Sequence, residues 1–370
     1  MEPEVLAQNV RRLRTAKRLS QAELADRAAI SVQSVKNLER ARGASRVSTL
    51  QEIARVLEVK LQDLFLPVRE LKTVRFRSSK RMRDRENILA EVARWLEDFN
   101  SLEDILGQHL RFSLGNLRSS CSRDEPVVAA KECRRKLGLK PTEPIYDICG
   151  LLEHAGVKVH PVEVQSDGFF GLSVAEEDGG PAVITNTWER ITVERRIFSA
   201  AHELGHLMLH PDAYDGSKTD ENKEEEREAN LFAGHFMLPE EGFRKEWNEA
   251  AGLPWVIRTL KVKRIFNVSY KTVLNRLIEQ GEADEWIWKR FNIEYQRHFK
   301  RKLAYRGEPE GPERYEPSRL HKVDFSEDRL SLLVRRAVEE DKITISRAAE
   351  ILRISIEEMQ ELLKNWEALL

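Results

Sequence analysis

Apolar positions recur at helical spacing along most of this chain. In the first segment the series runs through Leu6, Val10 and Leu13 and continues through Leu24 and Ala28. It predicts five short helices over residues 5–66, because residues three or four positions apart share one face of a helix. The same spacing predicts later helices over residues 87–116, 127–137, 145–155, 193–210 and 223–237.

In one part of the chain, apolar residues recur at every second position instead of at every third or fourth. Apolar and polar residues alternate over 157–164, 169–175 and 182–186, and Asp-Gly and Gly-Gly pairs separate these runs. Such alternation is typical of short strands with one buried face. Together the two patterns predict a mainly α protein with a small β-sheet, an α+β fold.

Three later segments complete the chain. Residues 255–279 and 326–365 are predicted to be helical and are similar in pattern to helix-turn-helix units. Their apolar positions favour a structural or partner-binding role over the reading of DNA. Residues 285–319 are rich in charge, proline and glycine, and we expect them to be extended or loosely ordered.

The helix predicted over 193–210 carries the run His202-Glu203-Leu204-Gly205-His206. Positions i and i+4 lie one turn apart on one helix face, so both imidazoles can bind one Zn²⁺ at about 2.0–2.1 Å. Glu203 is then placed to act as the catalytic general base on a water molecule. His210, one turn beyond His206, is either an outer partner of the site or a partly buried residue at the helix end.

A catalytic zinc usually has three protein ligands, and the acidic helix over 223–237 is the expected source of the third. At about 100° per residue, Glu225 and Glu226 lie roughly 50° from the centre of that helix's apolar face and Glu228 roughly 110° from it. Glu225 and Glu226 are therefore both candidates, and Glu228 is expected to be solvated. Glu226 is the preferred ligand and Glu225 the alternative, because Glu226 has Asn230 one turn after it. Asn230, one turn after Glu226, is placed to bond the free ring nitrogen of a ligand histidine.

Two runs in this region resemble the ImmA/IrrE family of zinc metallopeptidases. They are FSAAHELGHLMLH over 198–210 and EREANLFA over 226–233, closed by Met237-Leu238-Pro239. The resemblance implies a gluzincin-like domain over 125–280, in which two histidines and a glutamate followed four residues later by Asn hold Zn²⁺. It also implies a protein substrate, because family members typically cleave a helix-turn-helix repressor encoded nearby, in phage, mobile-element, defence or stress-response control.

The N-terminal residues 19–25 and 30–40 resemble the Xre or lambda-repressor class of helix-turn-helix domains. Ala29 stands where the turn of that class usually has glycine. Double-stranded DNA is therefore an expected partner, and because such domains often pair on two half-sites, a homodimer remains open. The residues expected to contact base edges, phosphate or the DNA backbone are Gln21, Gln33, Ser34, Lys36, Asn37, Arg40 and Arg42.

The charge distribution agrees with a DNA contact near the N-terminus. Residues 1–67 carry 12 Lys/Arg and 8 Asp/Glu, and residues 68–90 carry 8 and 3, although the net charge of the chain is −1. We expect a helix-turn-helix domain over 1–67 and a basic, helical connector over 68–124, whose part 68–90 is alternatively a phosphate-contacting arm. The peptidase domain follows over 125–280, and a charged linker with a C-terminal helical unit over 281–370.

The number of cysteines and the lack of long apolar segments indicate the cellular compartment in which we expect the protein. No apolar run is long enough for a membrane helix, and Met1-Glu2-Pro3-Glu4 lacks the features of a secretory signal. Three scattered cysteines do not form a disulfide framework, so we expect a reducing cytoplasm. Cys133 and Cys149 lie on apolar helical faces and are expected in the core. Cys121, in a polar loop, is expected to be a surface thiol, the alternative being a metal ligand that keeps the enzyme latent.

Three functional hypotheses follow. The first is a DNA-binding zinc endopeptidase that regulates transcription by cleaving a repressor. The second is a non-catalytic transcriptional regulator whose metallopeptidase-like domain senses a ligand or partner. The third combines them, with DNA positioning or activating the peptidase near an operator.

Overall fold

The structure, a computed structural model, describes residues 3–17, 19–43, 45–57, 59–65, 71–78, 85–120, 125–214, 222–303, 307–309 and 320–367. The chain divides into two compact units. The first comprises Met1–Leu71 and Lys80–Ser101, and the second comprises Lys72–Ser79 and Leu102–Leu370. Among the residues described, no helix is both long and apolar enough to cross a membrane.

The first unit is helical, as the apolar spacing predicts. Its elements are α1 (Pro3–Ala16), α2 (Gln21–Arg27), α3 (Val32–Leu38), α4 (Val47–Leu57), a 3-10 helix (Leu61–Leu64) and most of α5 (Arg85–Leu106). Helix α2 begins with a capping box: the Ser20 hydroxyl accepts from the Glu23 N–H at 3.1 Å, and the Glu23 carboxylate accepts from the Ser20 N–H at 2.7 Å. Val10, Leu24 and Val35 are fully buried between the helices.

The turn between α2 and α3 closes without glycine. Ala29 adopts φ +50°, in the left-handed region that glycine enters at little cost. A Cβ atom in this region costs about 1–2 kcal/mol. The helix-turn-helix geometry is therefore retained here at the expense of local backbone strain.

The second unit contains a four-stranded sheet and most of the remaining helices. Its strands are β1 (Val74–Ser78), β2 (Lys158–Val162), β3 (Phe169–Val174) and β4 (Ala182–Asn186), in the order β1-β3-β4-β2. The pairs β1–β3 and β3–β4 are antiparallel, and β2–β4 is parallel. The α+β fold is thus confirmed.

The helices of this unit cover the sheet and one another. They are α6 (Pro126–Lys136), α7 (Ile148–His154), α8 (Val193–Leu209), α9 (Lys223–Met237), α10 (Glu240–Glu249), α11 (Trp255–Ile265), α12 (Tyr270–Glu279), α13 (Ile287–Phe299), α14 (Arg329–Glu339), α15 (Ile345–Leu352) and α16 (Ile356–Glu367). Helix α8 contacts β3, β4 and α9, so nearly all of its residues are buried. Helix α10, which begins directly after Pro239, is not among the helices predicted from the apolar spacing.

Two expectations for single segments are wrong. Part of the segment 68–90 is strand β1 and not a helix, because its backbone pairs with the outer edge of β3. The segment 285–319, expected to be extended or loose, contains α13. Ile287, Phe291 and Tyr295 recur every four residues along it and are buried in the apolar core, which outweighs the surrounding charge.

The C-terminal helices are attached to the rest of the second unit through Glu153. Its carboxylate accepts from the backbone N–H groups of Asp328 and Arg329 at 3.3–3.4 Å, at the beginning of α14. Burial raises the pKa of Glu153 from 4.5 to about 7, although these hydrogen bonds oppose the shift. Glu327 and Asp328 add nearby negative charge and raise it further.

This raised pKa predicts a pH-dependent stability. Because the folded pKa exceeds the unfolded one, the free energy of unfolding falls as pH rises from about 4.5 to above 7. Glu153→Gln keeps an oxygen acceptor and removes the charge, so it should abolish that part of the decline, at most about 3 kcal/mol. The urea midpoints of wild type and Glu153→Gln at pH 5.5 and pH 8 would measure this decline. Glu189→Gln, a substitution at an exposed position, is the control. Parallel pH curves for wild type and Glu153→Gln would contradict the assignment.

Candidate metal centre

Helix α8 carries the two histidines on a fully buried face. The helix begins after Thr192, whose side chain accepts from the Arg195 N–H at 3.4 Å. His202 and His206 are 0% exposed, and their Nε2 atoms lie 2.9 Å apart. Burial, together with the nearby His202, lowers the pKa of His206 well below its usual range, which keeps the ring in the neutral form that binds metals.

Helix α9 brings a carboxylate to the same point. Glu226 Oε2 lies 3.3 Å from His202 Nε2, and its Oε1 lies 3.2 Å from His206 Nε2. In a tetrahedral zinc site with bonds of about 2.0–2.1 Å, neighbouring ligand atoms are about 3.3 Å apart. The two nitrogens and the carboxylate therefore have the donor chemistry of such a site. The nitrogen–carboxylate distances match its spacing, whereas the 2.9 Å between the two Nε2 atoms is shorter.

Outer partners orient both imidazoles. His202 Nδ1 bonds Asn230 Oδ1 at 3.0 Å, and His206 Nδ1 bonds His210 Nδ1 at 3.0 Å. His210 in turn bonds Glu228 Oε2 through its Nε2 at 2.7 Å. These hydrogen bonds each have one donor and one acceptor when the protons lie on Nδ1 of His202, Nδ1 of His206 and Nε2 of His210. The Nε2 atoms of His202 and His206 are then unprotonated, and their lone pairs point to the same place.

The expectation that Glu228 is solvated is wrong. It is 7% exposed because it packs on His210, which is itself fully buried. The angular estimate assumed a single buried face on α9, but α8 also covers the side that carries Glu228.

Glu203 is held by residues that sequence reasoning missed. Its Oε2 accepts from the Ser173 hydroxyl at 2.8 Å, and the Tyr214 hydroxyl donates to Ser173 Oγ at 2.9 Å. Burial raises the pKa of Tyr214, so its hydroxyl remains a donor. Ser173 lies on β3 and Tyr214 follows α8, and no local motif marks either residue.

Arg75 on β1 is a further residue that the sequence did not reveal. Its guanidinium bonds the Glu225 carboxylate, and its Nη2 lies 3.4 Å from Glu226 Oε1. Burial opposes the charge on Arg75, but the hydrogen bond and charge of Glu225 raise its pKa above the usual value. Glu225, the alternative ligand, is thus paired with Arg75, and the metal-ligand cluster contains Glu226.

An open cleft of about 420 Å³ lies beside Glu226 and Asn230. It is bounded by side chains of α9 and α12, and most of them are polar. They are Lys223, Glu226, Arg227, Asn230, Leu231, Asn275 and Glu279. The candidate metal-ligand cluster is therefore adjacent to an open and mostly polar cleft.

The residues expected to contact DNA lie mainly on the surface of the first unit. Gln33, Ser34 and Lys36 are exposed on α3, and so are Arg40 and Arg42 after it.

Four of the residues expected to contact DNA have side-chain partners within the unit, namely Gln21, Gln33, Ser34 and Asn37. The Asn37 Oδ1 accepts from Gln33 Nε2 at 2.8 Å, and the amide of Gln21 donates to Glu39 at 2.6 Å. Cys121, considered above as a latency ligand, lies outside the described residues, whereas Cys133 and Cys149 are buried.

Comparison with known families agrees with this organisation. Residues 156–278 match the IrrE N-terminal-like domain of peptidase family M78, and residues 10–64 match a helix-turn-helix model. No curated protein matches the chain. Both resemblances seen in the sequence are confirmed: a helix-turn-helix domain precedes an IrrE N-terminal-like domain in this chain.

The contact of α8 with α9 predicts an effect of Gly205→Ala. A Cβ at Gly205 would lie 3.0 Å from Phe232 Cδ1 and 3.3 Å from its Cβ, so Phe232 must give way by a few tenths of an ångström and disturb the packing of α9, which carries Glu226. We expect a loss of about 1–3 kcal/mol in unfolding free energy, together with weaker metal binding, measured by urea denaturation and chelator competition.

Gly234→Ala on α9 is the matched control for this substitution. Nothing lies within 4 Å of its added Cβ, so it should stabilise the helix by about 1 kcal/mol. Equal effects of the two substitutions would refute the packing argument.

Proposed function

We propose that this chain is a DNA-binding, zinc-dependent endopeptidase that regulates transcription by cleaving a protein, expected to be a helix-turn-helix repressor. The observation that carries the proposal is the convergence of His202, His206 and Glu226, with Glu203 beside them in sequence. It occurs within the region that matches a peptidase family. The helix-turn-helix match and the exposed polar face of α3 support the DNA-binding part.

Two neutral imidazoles and one carboxylate form a donor set that suits Zn²⁺. When bound, Zn²⁺ supplies Lewis-acid polarisation of a peptide carbonyl and lowers the pKa of water. Glu203 accepts the proton of the attacking water and returns it to the leaving amine. The Ser173 hydroxyl fixes Glu203 Oε2, while Asn230 and His210 fix the orientation of the ligand rings.

The ligand assignment predicts different metal contents for two adjacent variants. Glu226→Ala removes a ligand oxygen and should abolish stoichiometric zinc, whereas Glu225→Ala should retain it. Asn230→Ala should weaken zinc binding by about 10- to 100-fold, because it releases the His202 ring. Elemental analysis and chelator competition measure both effects. Absence of zinc from the wild type, even after reconstitution, would favour the non-catalytic regulator.

The role of Glu203 predicts that metal binding and cleavage can be separated. Glu203→Gln should retain zinc and lose cleavage of a helix-turn-helix repressor that the wild type cleaves, by a factor of about 10² or more. Mass spectrometry of the repressor after incubation with each chain detects the products, and Glu189→Gln serves as an exposed control. Undiminished cleavage by Glu203→Gln would refute the assigned base.

A further inference from the structure

Strand β1 reaches the sheet from a distant part of the sequence. Residues 72–79 belong to the second unit, although the residues on both sides of them belong to the first. The strand pairs antiparallel with β3, from Val74 opposite Val174 to Ser78 opposite Phe169. Two bonds strengthen its beginning: the Thr73 N–H donates to Asp178 at 2.6 Å, and the Thr73 carbonyl accepts from the Ala175 N–H at 3.0 Å.

The edge of β3 that β1 occupies lies beside the candidate general base. The other edge of β3 is paired with β4. Ser173, which donates to Glu203, is the residue of β3 directly opposite Arg75. Gly171 on the same strand is so close that an added Cβ would lie 3.3 Å from Glu203 Oε1.

The side chain of Arg75 extends this contact to the metal ligand. Arg75 is 12% exposed, and it bonds Glu225 and lies 3.4 Å from Glu226. A guanidinium on a ligand carboxylate competes electrostatically with a cation at the same oxygen. The backbone of β1 and one of its side chains therefore both occupy positions next to the residues proposed to perform catalysis.

Extended peptides bind proteins by adding a strand to an exposed sheet edge, where main-chain bonds give affinity and side-chain contacts give specificity. We propose that β1 is an internal substrate mimic: it occupies the peptide-docking edge of β3, and the substrate that replaces it is an extended segment whose arginine binds Glu225. This inference rests on the proposed peptidase function. The substrate class is then an extended peptide that contains arginine. The form of the protein in which β1 still occupies the edge of β3 is inactive toward substrates.

The pairing of β1 is limited enough to be exchanged. The strand has five residues, and its register with β3 is irregular between Arg77 and Ser78. Removal of the Arg75 side chain breaks the contacts with both glutamates and leaves the backbone pairing as the main attachment.

A peptide with the sequence of residues 71–80, LKTVRFRSSK, is the probe for this exchange. Fluorescence anisotropy of the labelled peptide would be measured against the full chain with Glu203→Gln, which prevents cleavage. Adding Arg75→Ala to the chain should raise peptide affinity at least tenfold, whereas Lys72→Ala, at an exposed position of the same segment, should not change it. Equal affinities of the Arg75→Ala and parent chains, or no binding to either, would overturn the inference.

Arginine selection is tested in the same assay. A peptide with alanine at the position of Arg75 should bind the Arg75→Ala chain at least fivefold more weakly than the parent peptide. A further Glu225→Gln substitution should remove this difference, because it removes the charged partner. A difference that persists in Glu225→Gln would refute the assignment of Glu225.

Hydrogen exchange supplies a readout that does not depend on catalysis. Excess peptide should accelerate exchange at residues 73–78 of the Arg75→Ala chain and leave α8 protected, which also shows that the variant is folded. Unchanged exchange at 73–78 would mean that the peptide binds elsewhere. Displacement of β1 by the peptide without cleavage of any protein would refute the proposed function alone. Cleavage of a protein without displacement of β1 by the peptide would refute this inference alone.

Discussion

The close approach of α8 and α9 at Gly205 is the contact on which the candidate centre depends. The histidines lie on one helix and the glutamate on the other, so the distance between the helices sets the distance between ligand atoms. Phe232 fills the space left by the absent side chain of Gly205. Because the sheet supports α8 from its other side, a displacement at this contact cannot be absorbed by α8 alone.

The same interface buries an unusual number of ionisable groups. His202, His206, His210 and Glu203 are at most 1% exposed. Burial of such groups is costly unless each forms hydrogen bonds, and here two connected series provide them. One runs from Glu228 through His210 to His206, and the other from Tyr214 through Ser173 to Glu203. These bonds fix the side chains before any ligand arrives, which reduces the reorganisation needed for binding.

The parts of the site that the sequence predicts are those with local geometry. The spacing of His202 and His206 follows from helical periodicity, and the preference for Glu226 over Glu225 follows from Asn230 one turn later. Glu228 was misjudged because periodicity describes one helix and contains no information about its neighbours. Arg75 was missed for the same reason, since it meets Glu225 across 150 positions of sequence.

The secondary structure of two segments was also predicted incorrectly from the sequence. Val74, Arg75, Phe76 and Arg77 alternate as the predicted strands do, but the basic charge of residues 68–90 obscured this signal, and the backbone of β1 pairs with the edge of β3. In α13, the aromatic residues at four-residue spacing carried a helical signal that the charge, proline and glycine content of 285–319 obscured. In both cases the local pattern was present, and pairing or burial against other elements outweighed the surrounding charge.

The covalent attachment of β1 at both ends raises the affinity that a competing peptide needs in order to replace it. A tethered segment competes at an effective concentration on the order of millimolar. A free peptide present at micromolar concentration would therefore need an intrinsic affinity about a thousandfold greater to replace β1 at half of the sites. With the first unit bound to DNA as proposed, a substrate on the same stretch of DNA would itself be confined at high local concentration. Proximity on DNA, more than sequence preference alone, would then select which protein reaches the edge of β3.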